Sequence, residues 1–471
     1  MWLHVTLSAP RPSKHGASTG SVLDYPGGHS TGISSAVRPR HGRIGYQHRC
    51  PLPILDSRSV TATRDQKPPP YLDGKDAVSR FIASIANTRA IALDTEGASF
   101  HRFIDRIYLL QLSTREASAI LDPLTIGVPE GLGALLESRN VEVVFHDADY
   151  DLRLLHQDYG WRITNIFDTR VAAQLLGLRA FGLAALLERY FGIKLDKKHQ
   201  RADWSMRPLT PGMLEYAAQD TEFLLDLRDR LGNELEKLHR TSWAAEEFAR
   251  LEGTQWDSEN DREAFLRMKG ARDLNRRQLA ILRELVAWRD TVAESIDRAT
   301  FRVISNETLL EIARVAPTAR QQLATVKGMP RGILESRSPD ILESVARGVA
   351  VPDNELPRFP RSQRWERDPD FDDVVARLKT VRDAAAARLD LDPGVLCPRE
   401  RLEAVARKRP TKVEELADIP DFRRWQIEQL GEDFVRALRS APSSSGAGTR
   451  AAAASDPAAD GTNSGDSPYK Q

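Results

Sequence analysis

The feature that most restricts what this chain can fold into is an ungapped internal repeat. A shift of 93 residues lays Arg289-Asp290 on Arg382-Asp383, Leu309 on Leu402 and Ala313-Arg314 on Ala406-Arg407. The same shift lays Pro317-Thr318 on Pro410-Thr411 and Leu323-Ala324 on Leu416-Ala417. Matches that hold register without an insertion indicate one small unit built twice. Apolar residues recur at helical spacing in both copies, so two all-α domains are expected, at 270–350 and 367–440. The stretch VPDNELPRFPRSQ, with three prolines, marks a linker over 351–366.

The region 69–240 alternates instead. A helical stretch, Gly74–Ala86, precedes short apolar runs at Ala90–Asp94, Ile107–Leu112, Ser118–Leu121 and Val141–His146. Their β-branched content and length read as strands. Helical patterns follow at Asp151–Tyr159, Asp168–Leu178, Leu183–Phe191 and Thr210–Leu235. Strands followed by mixed helices and strands imply an α/β layer around a mixed sheet. Residues 241–269 read as a helical connection to the repeats.

The ends differ in composition. Residues 1–68 hold five of the ten His and only three acids, Asp24, Asp56 and Asp65, with no lasting apolar period. They are expected to be disordered and to add nothing to the core. Met1–Pro10 offers no apolar stretch for a secretory signal. The basic, acid-poor leader could be an organellar transit peptide, or an extension from a start placed too far upstream. Residues 441–471 read as a low-complexity, disordered tail. Cys50 and Cys397 are the only cysteines, which excludes a disulfide framework or a thiolate zinc cluster and fits a reducing, cytoplasmic setting. No run approaches the ~20 apolar residues of a membrane span. Basic and acidic residues balance at 67 each, so binding to a polyanion must come from local patches.

Four carboxylates stand out by placement. Asp94 and Glu96 close the first long strand, and residues two apart on a strand share a face. Asp151 falls in HDADYDL, where a strand gives way to a helix. Asp220 follows Tyr216 by four residues in YAAQD, so phenol and carboxylate share one helical face. Taken singly, each admits a plain structural reading: solvated strand-end charges, a helix cap, a surface pair. Oxygen ligands without Cys or clustered His would select Mg²⁺ or Mn²⁺ over zinc.

In combination, DTE, HDADYDL and YAAQD resemble the three motifs of the DEDD exonuclease superfamily, Tyr branch. DTRVAAQLL at 168–176 and DWSMRPL at 203–209 look like ribonuclease D, and the repeat resembles the HRDC domain shared by RecQ-type helicases and ribonuclease D. The resemblance implies a ribonuclease H-like exonuclease domain followed by two HRDC-like domains. It further implies a two-metal 3′-to-5′ exoribonuclease that releases nucleoside 5′-monophosphates and trims the 3′ ends of tRNA precursors or other structured RNA. In that scheme Asp94 bridges two cations, Glu96 and Asp220 hold the first, Asp151 holds the second, and Tyr216 orients the attacking water. One departure is Gly97, where many ribonuclease D sequences carry Phe; it alters a base-stacking contact and no metal ligand.

Candidate substrate contacts are His146, Lys198, Arg201, Trp204 and Arg207, with Lys194, Lys197 and His199 completing a basic patch. Residues 71–240 carry 21 basic and 25 acidic side chains, so the grip on RNA is expected elsewhere. The first repeat counts 13 basic to 10 acidic over 271–350, the second 15 to 17 over 366–440. The first is therefore the better RNA-binding candidate, and the second is expected to be mainly structural. On that reading, truncation after about Leu266 leaves the chemistry on short oligonucleotides intact. Trp288 fits a core position better than a stacking platform. A proofreading DNA exonuclease is disfavoured because no polymerase-like segment follows residue 240, and a catalytically dead binding module because all four carboxylates are present. The protein is expected to act as a monomer, without a membrane.

Overall fold

The computed structural model describes residues 69–196, 198–256, 263–359 and 370–439. The readings for 1–68 and 441–471, for Lys197 and Cys50, and for the later part of the linker lie outside them. Among the described residues no helix is long and apolar enough to cross a membrane.

Six strands form one mixed sheet in the order β1-β4-β3-β2-β5-β6. They are β1 (Tyr71–Leu72), β2 (Ala90–Glu96), β3 (Leu109–Ser113), β4 (Ser118–Leu121), β5 (Glu142–Phe145) and β6 (Ile166–Asp168). β2 runs antiparallel to β3, which pairs Asp94 with Gln111 and Glu96 with Leu109, and parallel to β5. β1 and β6, at the two edges, span only two and three residues, too few to show a period in sequence.

Alternation along β2 sorts its side chains. Ile91 and Leu93 enter a core with Val78, Ile82, Phe145 and Leu155, while Ala92 enters the opposite core. Asp94 and Glu96 share the Ala92 face. The expected single helix Thr210–Leu235 is two, Pro211–Glu222 and Leu224–Lys237, broken at Phe223. The first is fixed at its start by Thr210, whose side chain accepts from Met213 N, and by Pro211. It lies across β2, β3 and β4 and carries Tyr216 and Asp220 to the carboxylate face.

The repeats are helical, as expected. In the first, the antiparallel helices Arg276–Ser295 and Arg331–Ala350 enclose a core that includes Trp288, 8% exposed. The repeated Arg-Asp pair is structural: Arg289 and Arg382 are buried, donating to Asn306 Oδ1 (2.6 Å) and to the Cys397 carbonyl (3.1 Å). Each guanidinium braces its long helix against the next segment.

The second repeat does not stand apart from the catalytic region. Trp425 and Phe434 belong to the same buried core as Leu227, Trp243 and Phe248. Trp425 stacks on Trp243 (4.8 Å, 17°) and donates from Nε1 to Glu247 Oε1 (3.0 Å). Glu246 accepts from the Arg424 and Trp425 amides at 2.6 and 3.1 Å. Arg240 donates to the carbonyls of Leu175 and Leu389, tying the two regions through one buried guanidinium. The expectation that truncation after Leu266 spares the chemistry sits against this continuous core, which that cut would open.

Candidate active site

The carboxylates converge at the end of β2. One oxygen each from Asp94, Glu96 and Asp220 lies within 4.8 Å of the others. Asp151, 5% exposed, stands beside the trio, held by Thr95, whose amide and hydroxyl donate to Oδ1 at 3.0 and 2.5 Å. The β2–β5 ladder ends at Ala92 and Val144, so the Thr95 amide lies beyond it and takes Asp151 as acceptor. Asp151 lies in the first turn of the helix Asp149–Tyr159, where a negative charge is favoured by the backbone dipoles. The turn before it is fixed by buried Asp168, which accepts from the amides of Asp147, Ala148, Arg170 and Val171. Asp168 was legible in sequence only through its resemblance motif.

Burial and mutual repulsion raise every proton affinity here. Asp94 is pushed well above the carboxylate range by burial and by Asp220; Glu96 by burial and by Asp94, Asp220 and Asp151. Asp151 rises through burial and Asp94, and Asp220 rises to about 7 through burial and Asp151. Tyr216 is raised by burial and by the charges of Asp220, Glu96 and Asp94, so it is a neutral phenol at pH 7. Clustered anions of this kind fit hard divalent cations, which relieve the repulsion that burial intensifies.

A carboxyl whose folded pKa exceeds its unfolded value binds its proton more tightly when folded, so its stabilising share is full below about pH 4 and declines as pH rises through the folded value. In EDTA, melting temperature should therefore fall from pH 5 to 8, across the Asp220 value of about 7. Mg²⁺ or Mn²⁺ should raise it more at pH 8 than at pH 5, because binding displaces the protons. Thermal melts at four pH values check this. An equal metal shift throughout would contradict it, and Asp220→Asn should flatten the EDTA slope.

Asp94, Glu96 and Asp220 line a cleft of about 710 Å³ together with Phe100, His146, Tyr150, Arg170, Arg201 and Tyr216. His146 Nδ1 meets Thr169 Oγ1 at 2.9 Å, and that hydroxyl donates to the Phe145 carbonyl at 3.0 Å. The hydroxyl has one proton, so it accepts from Nδ1–H, which leaves Nε2 unprotonated as an acceptor. Burial, with nearby Arg170, lowers the His146 pKa to about 4 and keeps the ring neutral.

The other candidate contacts divide. Arg201 lines the cleft. Lys198 pairs with Asp196 at 2.9 Å and is not among the lining residues. Trp204 is among the lining residues but only 2% exposed, its ring 6.1 Å from that of Tyr216. Arg207 donates from Nε and NH2 to buried Asp122 at 2.5 and 2.7 Å and to the Trp204 and Tyr108 carbonyls, so its donors are engaged within the fold. Arg170 and Tyr150 also line the cleft; both lie inside the DTRVAAQLL and HDADYDL motifs, where spacing does not single them out. A Cβ at Gly97 would meet the Tyr150 hydroxyl and lie 2.8 Å from Asp105 Oδ1, so a side chain there requires both side chains to move. That hydroxyl donates to Asp105 Oδ2 at 2.8 Å.

Comparison with known proteins agrees with this architecture. A 3′-5′ exonuclease family profile matches residues 70–236, and an HRDC domain profile matches 278–345 and 371–438. Ribonuclease D of Gluconacetobacter diazotrophicus is 32% identical over 348 residues, 73% of this chain and 86% of that one. The chain belongs to the ribonuclease D family. Ribonuclease D of Granulibacter bethesdensis is 30% identical over 79% of this chain and 93% of its own length. The crystal structure of Escherichia coli RNase D, described as an exoribonuclease involved in structured RNA processing, superposes with a TM-score of 0.63. The two share 25% identity over 79% of this chain and 99% of the E. coli one. Like other ribonuclease D proteins, the chain is a 3′-5′ exoribonuclease.

Proposed function

We propose that the enzyme trims 3′ ends of tRNA precursors and other structured RNA, using two divalent cations, Mg²⁺ or Mn²⁺, and releasing nucleoside 5′-monophosphates. The observation that carries the reading is the convergence of the Asp94, Glu96 and Asp220 oxygens within 4.8 Å on the floor of a cleft that Tyr216 also lines. Asp94, Glu96 and Asp220 would hold one cation, and Asp94 with Asp151 the other. Bound cations supply the positive charge that an in-line displacement needs at its attacking and leaving oxygens. The chain's own groups do the rest. Thr95 fixes Asp151, Tyr216 Oη orients the attacking water by a hydrogen bond, and His146 Nε2 accepts from a hydroxyl of the bound strand. Arg170 and Arg201 set positive charge on walls whose floor is anionic. The same reading makes the enzyme a cytoplasmic monomer, which size-exclusion chromatography checks.

The test is incubation of the full chain and Mg²⁺ or Mn²⁺ with 5′-labelled RNA bearing a single-stranded 3′ trailer, and with DNA of the same sequence. Stepwise shortening of the RNA with release of 5′-monophosphates is expected; preference for DNA, or internal cuts, would refute the reading. Tyr216→Phe should lower the rate about 10²–10⁴-fold, the scale of one positioned proton-transfer partner. Its metal-induced melting shift and RNA affinity should stay native, which separates loss of the water's partner from loss of the site.

A further inference from the structure

The loop between β2 and β3 leaves the cleft and docks on the first helical repeat. His101 O accepts from the Ala299 amide at 3.3 Å, Arg102 reaches Asp297 at 3.1 Å, and Arg302 Nε donates to the Phe100 carbonyl. These bonds fix Phe100, which lines the cleft, beside Phe301 of the repeat, edge to face with centroids 5.9 Å apart. Both rings remain 47% and 49% exposed, although an apolar contact between two regions would ordinarily cover them. Arg201 lies over the Phe100 ring at 5.3 Å and Arg302 over Phe301 at 5.9 Å. Among the described residues, neither guanidinium has a carboxylate within ion-pairing distance.

We propose that Phe100 and Phe301, with Arg201 and Arg302, form a stacking step at the cleft mouth that carries unpaired RNA nucleotides lying 5′ of the residue being removed. The inference rests on the exoribonuclease reading, which puts the 3′ end on the carboxylates and so leads the upstream strand out past these rings. Exposed aromatic faces interleaved with arginines suit unpaired bases on a phosphate chain, because every base presents a π face and every linkage a negative charge. A floor of carboxylates with unpaired cations at its rim gives the complementarity a polyanion needs. The step also gives the first repeat a specific task that its net charge alone does not define.

The experiment measures kcat and KM of the full chain on oligouridylates of two and ten nucleotides. The dinucleotide has no strand to lay on the step. Phe100→Leu, Phe301→Leu and the double variant keep apolar volume at the contact but lose the π faces. The ratio of kcat/KM for the decamer to that for the dinucleotide should fall about tenfold or more in the double variant, mainly through KM, as expected for loss of one stacked base. Phe100→Tyr with Phe301→Tyr should restore it. An unchanged ratio overturns the proposal, whether both substrates slow together because the rings merely brace the loop, or neither slows because another partner uses the surface. Failure of the native chain to cut either substrate would instead overturn the exoribonuclease reading.

Discussion

Asp94→Asn should hydrolyse RNA more slowly than the native chain by at least about three orders of magnitude, yet melt higher in EDTA. The first effect follows because a metal site contributes several kcal/mol of transition-state charge stabilisation, and about 1.4 kcal/mol is worth tenfold in rate. The second follows because Asp94 is buried, with its carboxyl driven well above its usual range by burial and by Asp220. Removing that charge relieves repulsion that bound cations or protons otherwise relieve. Glu96→Gln and Asp220→Asn should behave alike. Asp151→Asn should be equally inactive without the gain, because its carboxylate accepts charge-assisted bonds from Thr95 N and Oγ1 that an amide weakens. Initial rates with Mn²⁺ and melts in EDTA test all four. Near-native turnover in Asp94→Asn or Glu96→Gln would remove the assignment.

Trp425→Ala should cost about 3–5 kcal/mol, the usual range for emptying a buried tryptophan site. Trp425 is 2% exposed and sits in the core that the second repeat shares with the exonuclease helices. Its loss leaves Trp243 without a stacking partner and Glu247 Oε1 without the indole donor. Truncation after Leu266 goes further, exposing Trp243 and Phe248 together, and should give an aggregating protein instead of a minimal nuclease. Urea unfolding of Trp425→Ala followed by near-UV circular dichroism and by exonuclease activity checks the coupling. Coincident transitions at a lowered midpoint are expected; activity outlasting the second repeat would show that the regions fold independently.

Much of the site was legible because it is local. Alternation along β2 puts Asp94 and Glu96 on one face whatever the rest of the chain does, and one helical turn brings Tyr216 to Asp220. The repeat, too, is visible in register, since each copy needs the same apolar positions and the same bracing arginine. Arg207 shows where such reading stops. Its position in DWSMRPL suggested a contact with RNA, while the fold places buried Asp122, 85 residues earlier, against its fork. Trp204, another candidate RNA contact, borders the cleft but is almost fully buried against the Tyr216 ring.

By itself, then, the sequence determined the mixed α/β domain and the duplicated helical unit, because backbone periods of two and 3.6 act over a few residues, while the four carboxylates and Tyr216 stood out as a set through the resemblance of their motifs to the DEDD exonucleases. Only the tertiary structure decided which charges are already paired, that Gly97 faces the Tyr150 hydroxyl, that the second repeat shares the core of the catalytic region, and that Phe100 meets Phe301. Those outcomes depend on contacts between segments tens to hundreds of residues apart, and neither spacing nor composition carries that distance.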